Sequence, residues 1–290
     1  MIGRTLSAAA ALILIFSIPA SGADDTAKRK AYLDGIRTAI PHSGAWERWL
    51  NESGELPPDF DALPSRPELP DPLLRTVGGK EIRVTKPSEW PARRKELLEL
   101  FHTWMLGTIP QAPDNLRAEI LDEHAEGNAA SRRVRLTFGP GGKASLTLEL
   151  LIPQGKGPFP VFLTQDNHRA WALIALSRGY MACVYSGADS RDDTGTFADA
   201  YPGYDWSLLT KRAWAASRCV DYLYMLPQTD RTRIAITGHS RNGKQSLIAA
   251  ALDERISLVI SSSSGTGGAM PARLFSDRNF GESIEHITRV

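Results

Sequence analysis

The sequence predicts an α/β fold, a mostly parallel sheet with helices on both faces. Three observations carry this. Beyond Pro153, short apolar runs of strand type alternate with helical stretches, the pattern of βαβ units around a sheet buried on both faces. Ahead of them, strand-like runs at 132–138 and 144–152 are separated by Gly139-Pro140-Gly141-Gly142, a hairpin turn that places an antiparallel edge on the sheet. Finally, an apolar strand at 234–237 runs through a tight turn bearing Ser240 straight into a helix.

Taken in order, strands are expected at 159–163, 180–185, 234–237 and 256–260, and helices at 170–177, 210–225 and 242–252. Upstream, Ser88-Glu89-Trp90-Pro91 opens a helix. Ser88 is a suitable cap and Pro91 suits the first turn. Leu97, Leu98, Phe101 and Met105 continue at helical spacing until Gly107. Residues 88–290 therefore form the main domain. Residues 24–87 are an N-terminal extension, with a helical stretch at 28–38 followed by a proline-rich segment at 56–72 that favours extended backbone.

The first 23 residues have the form of a secretory signal peptide. Arg4 supplies the charge, 8–18 the apolar run, and Ser21-Gly22-Ala23 the small residues before a cleavage point at Asp24. The run is too short to span a bilayer, so a secreted or periplasmic protein without a membrane partner is expected. Cleavage takes one basic residue, Arg4, from 34, leaving 33 against 33 acidic residues. That balance, without a basic run, argues against a nucleic-acid partner. An apolar fraction of 42% is ordinary for a globular chain. Cys183 and Cys219 are the only cysteines and lie in apolar patterns, so buried free thiols are expected. The six histidines are scattered without zinc spacing, and neither metal nor cofactor is expected.

The chemistry concentrates in Gly238-His239-Ser240-Arg241-Asn242-Gly243-Lys244. A strand, a sharp turn and a helix form a nucleophile elbow, which lifts a serine hydroxyl above the sheet edge and aims helix N–H groups at developing negative charge. The usual G-x-S-x-G spacing is not met, because Asn242 stands where the second glycine belongs and Gly243 follows it.

This heptapeptide resembles the G-C/H-S-R-x-G-K signature of the glucuronoyl esterase family (carbohydrate esterase family 15), exported α/β-hydrolases. Lys211-Arg-Ala-Trp-Ala-Ala-Ser-Arg-Cys-Val-Asp-Tyr-Leu223 is similar to the family's helix before the nucleophile strand. Ser264-Gly-Thr-Gly-Gly268 and Phe280-Gly-Glu-Ser-Ile284 are similar to segments after it, and Trp90-Pro-Ala-Arg-Arg94 with Gly107-Thr-Ile-Pro110 to its opening helix. The resemblance implies an α/β-hydrolase fold and a serine esterase. Ser240 would be the acylated nucleophile, Arg241 a cation facing the oxyanion, and Lys244 a donor to hydroxyls of a sugar acid. A further oxyanion donor is expected in the loop at 164–167.

The remaining partners of a triad are not evident. Where some family members carry a glutamate, this chain has Ser263. Asp253 and Glu254 are expected to be surface charges. Of the histidines, only His286 follows Ser240, in a helical pattern rather than on a loop beyond further strands. His239 is expected to point away from the hydroxyl and His168 to lie at a pocket rim. The chain thus resembles a family domain that stops before its last strands, implying an unpaired sheet edge, poor stability and little activity alone. Three functions compete: cleavage of 4-O-methyl-glucuronoyl esters linking polysaccharide to lignin; deacetylation of xylan; and non-catalytic carbohydrate binding, with Trp171, Tyr201, Tyr204 and Trp206 as cleft aromatics.

Overall fold

The structure, a computed structural model, describes residues 25–39, 44–57, 59 and 68–271. The expected signal peptide, most of the proline-rich segment, Phe280-Gly-Glu-Ser-Ile284 and His286 lie outside the described residues. Two compact units divide between Asp71 and Pro72, ahead of the composition change at residue 88. The smaller holds helices α1 (Thr26–Ala39) and α2 (Gly44–Ser53). Arg37 joins them through a two-pronged bond to Glu47 (3.2 and 2.7 Å).

The larger unit opens with a hairpin, β1 (Leu74–Val77) and β2 (Lys80–Arg83), and helix α3 (Trp90–Phe101). Ser88 does not cap α3. It lies in a 3-10 turn, Pro87–Glu89, where the Glu89 carboxylate accepts from the amides of Thr85 and Lys86 (2.8 and 3.2 Å). A carboxylate reaching back satisfies two donors where a serine satisfies one. After α3 the chain widens into a π turn, His102–Leu106, which ends at Gly107 as expected.

The strands and helices that follow are β3 (Arg117–Glu126), β4 (Ala129–Phe138), β5 (Ala144–Pro153), β6 (Phe159–Gln165), α4 (Arg169–Leu176), β7 (Met181–Tyr185), β8 (Gly187–Ala188) and β9 (Arg191–Asp192). They continue with α5 (Thr196–Ala200), α6 (Leu208–Met225), β10 (Thr229–His239), α7 (Arg241–Leu252) and β11 (Leu258–Ser262). Seven strands form one sheet in the order β11-β10-β6-β7-β5-β4-β3. The β11, β10, β6 and β7 strands run parallel, and β5, β4 and β3 add the antiparallel edge.

Burial follows the patterning. All five residues of β7 are buried, as a central strand covered on both faces requires. On one face Leu146, Leu148, Leu163, Cys183 and Ile236 pack with Leu209, Cys219 and Ile248 from α6 and α7. On the other, α4 covers Leu151, Ala182 and Val184. Both cysteines are buried and free. Tyr201 and Trp206 belong to the larger core, in edge-on contact with each other at 5.9 Å and with Trp214 at 5.5 and 5.3 Å. This corrects the reading of those two aromatics as cleft residues: their apolar area is spent on packing.

Strand β3 has no counterpart in the expected pattern. Eight of its ten residues are exposed and five are charged, so no apolar alternation marks it, and it forms because β4 offers an edge. Arg132 fixes it to β4 by an ion pair with Glu123 (2.6 Å). Charges on an edge strand also discourage pairing with another chain.

Under the sheet's second face, Glu149 of β5 accepts from Ser131 (2.7 Å) and from Arg169 at the start of α4 (2.7 and 2.8 Å). Burial pushes the Glu149 carboxyl up, but the Arg169 and Ser131 hydrogen bonds outweigh it and leave the pKa below the ordinary value. A depressed carboxylate stabilises the fold fully above its unfolded value and loses that contribution as pH falls through the folded one. Glu149→Gln should therefore cost about 1–2 kcal/mol at neutral pH and clearly less at acid pH, once the carboxylate is protonated in the folded protein. Urea melts across that range test this. An equal loss at both pH values would show that shape, not charge, is at stake.

Candidate active site

The end of β10 meets the start of α7 at a single residue. Ser240 has φ 55° and ψ −124°, a conformation that non-glycine residues adopt only when the surroundings impose it, at about 1–3 kcal/mol. Two constraints impose it here. The Ser240 amide donates to the Ser262 carbonyl of β11 (3.0 Å), and the Ser240 carbonyl accepts from the Lys244 amide (3.1 Å), the first turn of α7. The Ser240 side chain makes no capping bond to that helix, although serine favours that role. Ser240 is exposed at the sheet edge.

The displaced glycine has a steric explanation. A Cβ on Gly243 would lie 2.9 Å from the Ser262 carbonyl oxygen and 3.1 Å from both the Gly238 oxygen and Ser264 Cβ. It is therefore Gly243 that lets α7 pass close to β10 and β11. Gly238 is tighter: its Cβ would fall 2.4 Å from the Asn242 oxygen and 2.6 Å from Gln165 Oε1. Asn242, at the expected glycine position, has other work. Its Nδ2 donates to Asn167 Oδ1 (2.8 Å), holding the Asp166–His168 turn after β6 beside the elbow. The loop expected to carry an oxyanion donor is thus adjacent to Ser240's helix.

A buried polar layer underlies the elbow. Gln165 Nε2 donates to Ser246 Oγ (3.2 Å) and to the Tyr185 hydroxyl (3.3 Å). Gln245 Nε2 donates to the same hydroxyl (3.0 Å) and to the Gly187 carbonyl (2.8 Å). These bonds tie the ends of β6 and β7 and the start of β8 to α7. Nothing in the sequence pattern signals them, since glutamine carries no apolar period.

Arg241 stands directly beyond Ser240, its guanidinium paired with Asp189 (2.6 Å). Lys244 is enclosed, at 1% exposure. His239 shares a hydrogen bond with Ser262 Oγ through Nδ1 (3.2 Å). His168 is buried, its ring 4.3 Å from that of Trp171, so it packs inside the rim it was expected to line. Burial, with a smaller effect from His239, lowers the His168 pKa. Ser263 has φ 42° and supplies no carboxylate. Asp253 is not a surface charge. It is buried and gripped by Arg255 (2.8 and 2.7 Å). Glu254 is exposed and pairs with Arg94 (3.2 Å). Among the described residues no group of histidines, cysteines and carboxylates could hold a metal ion, and no helix is long and apolar enough to cross a membrane.

A strained serine at a strand-to-helix turn suits acyl transfer, and the chain matches known esterases. A family model described as glucuronyl esterase, fungi, matches residues 137–290. A 4-O-methyl-glucuronoyl methylesterase of Podospora anserina is 31% identical over 237 residues, covering 77% of this chain and 46% of that protein. The chain spans about half the length of the curated relatives it matches. Among solved structures, an esterase of carbohydrate esterase family 15 from a marine bacterial metagenome, described as promiscuous, aligns with TM-score 0.63 at 26% identity, over 79% of this chain and 70% of that one. A glucuronoyl esterase variant from Sporotrichum thermophile, in complex with methyl 4-O-methyl-β-D-glucopyranuronate, aligns with TM-score 0.56 at 29% identity, over 71% of this chain and 55% of that one. With the elbow, the mixed seven-stranded sheet and a family match over more than half its length, the chain belongs to the glucuronoyl esterase family and has its α/β-hydrolase fold.

Proposed function

We propose that the protein is a serine esterase that cleaves 4-O-methyl-glucuronoyl esters of plant cell-wall polysaccharide, with Ser240 as nucleophile. The observation that carries this is the strained, uncapped Ser240 at the β10–α7 turn, in a family whose named members include methylesterases of that acid. In the first step Ser240 Oγ attacks the ester carbonyl and the alcohol departs. Water then releases the uronic acid from the acyl-enzyme. Charge developing on the carbonyl oxygen would meet the helix N-terminus and the Arg241 guanidinium, worth more in a water-poor site than in bulk. Lys244 is proposed to donate toward the sugar acid's hydroxyls. Its burial calls for a small local opening of the α7 start on binding. The apolar leader with Arg4 supports export, and N-terminal sequencing of the secreted protein should begin at Asp24.

The test is hydrolysis of methyl and benzyl glucuronates beside acetylated xylo-oligosaccharides, followed by chromatography of the released acid. Preferential release of glucuronic acid is expected. Arg241→Ala should lower kcat about 100-fold with KM little changed, as for loss of one oxyanion donor. Faster release of acetate would favour the deacetylase. Tight oligosaccharide binding without turnover would favour a binding protein.

A further inference from the structure

Strand β7 ends at the same sheet edge as the elbow, and the chain after it makes a small hairpin. Gly187 pairs with Asp192 and Ala188 with Arg191, leaving Asp189 and Ser190 as the tip. Little in a two-residue turn is rigid by itself, yet this one is held from three sides. The Gly187 carbonyl accepts from Gln245 Nε2 of α7 (2.8 Å). Asp192 accepts from the Thr194 amide and hydroxyl (3.0 and 2.6 Å). Arg212, on α6 and 3% exposed, donates from Nε to Asp192 (2.8 Å) and from Nη1 to Asp189 Oδ1 (2.8 Å).

The other oxygen of Asp189 faces Arg241 Nη2 at 2.6 Å. One carboxylate thus joins a buried arginine of the core to the arginine beside Ser240. We infer that Asp189 is a positioning residue, which holds the Arg241 guanidinium in place at the elbow through the Arg212–Asp189–Arg241 chain. This rests on the reading of Arg241 as the cation at the acyl carbonyl.

An exposed ion pair ordinarily contributes little, because both long side chains lose freedom to form it. Here that cost falls on Arg241 alone, since Arg212 already fixes Asp189. A guanidinium also offers planar, directional donors, and a fixed carboxylate selects one orientation of them. Asp192 balances the second charge, so the two arginines and two aspartates together are neutral. Orientation, not added field, is what Asp189 supplies.

The experiment is a double-mutant cycle on Asp189→Asn and Arg241→Ala, with kcat and KM for methyl glucuronate and a thermal melt for each variant. Asp189→Asn should lower kcat about tenfold with KM changed less than about twofold. Added to Arg241→Ala, it should cost nothing more, because coupled residues are not additive. A rate loss for Asp189→Asn that persists in the Arg241→Ala background would overturn the inference. So would an unchanged rate for Asp189→Asn while Arg241→Ala is slow. An unchanged rate for Arg241→Ala would instead strike the catalytic reading of Arg241. A measurement free of turnover accompanies these: nitrogen-15 NMR of arginine side chains in the whole protein. Arg241, assigned by its disappearance in Arg241→Ala, should show slowed guanidinium rotation that Asp189→Asn abolishes. Free rotation in the unaltered protein would overturn the inference whatever the activity.

Discussion

Replacing Ser240 with alanine is expected to lower turnover of a glucuronate ester by about 10⁴- to 10⁶-fold, the scale seen when a serine nucleophile is removed. The fold should survive, because the Ser240 side chain makes no cap and its bonds to Ser262 and Lys244 are made by the backbone. A companion variant separates chemistry from strain. Ser240→Gly should be just as inactive but more stable than the parent by about 1–2 kcal/mol, since glycine tolerates φ 55° and serine does not. Rates with methyl glucuronate and urea midpoints check both. Turnover that survives Ser240→Ala would remove Ser240 from the mechanism. Equal stability of the alanine and glycine variants would show that the elbow stores no strain.

The second large effect is expected at Gly238. An added methyl there would sit 2.4 and 2.5 Å from the Asn242 oxygen and carbon, both backbone atoms, and 2.6 Å from Gln165 Oε1. Backbone cannot step aside as a flexible side chain can. Gly238→Ala should therefore destabilise the protein by about 3 kcal/mol and displace the start of α7. Activity should fall with it, because Ser240 and Arg241 ride on that crossing. Gly243→Ala meets Ser262 oxygen at a longer 2.9 Å and should cost less, about 1–2 kcal/mol. If urea melts placed the two variants in the opposite order, the close approach at Gly238 would not be the tighter one.

How far the sequence speaks depends on what each residue does. Apolar period reveals the parallel strands and the long α6 helix, because burial on both faces selects unbroken apolar runs. It also reveals the β4–β5 hairpin through its glycine-rich turn. It misses β3, whose charged residues pair with β4 without contributing to the core. At the site, Ser240 and the glycines are readable from spacing, since a one-residue reversal admits few residue types. Asp189 and Arg212 are not, and for Gln165 and Asn167 the 164–167 loop is readable but their hydrogen-bond partners are not. They come from distant parts of the chain and act through pairwise bonds that leave no local pattern. Lys244 is read as a donor from the signature alone, and its enclosure in the structure leaves no mark in the sequence.

The sheet order also sets how the backbone amides will exchange with deuterated water. Strand β10 has a parallel neighbour on each side, β6 and β11, across Ala235 and Ile236. Its amides are released only when the whole sheet opens. Strand β11 is bonded to β10 alone among the described residues, and Leu258 and Ile260 are 54% and 51% exposed. Half of its amides therefore exchange through local fraying. The Ser240 amide, bonded to β11 by way of Ser262, should follow the faster strand although it is covalently part of the slower one. Ser240 thus sits on the boundary between two exchange regimes, and its protection reports how firmly β11 is seated.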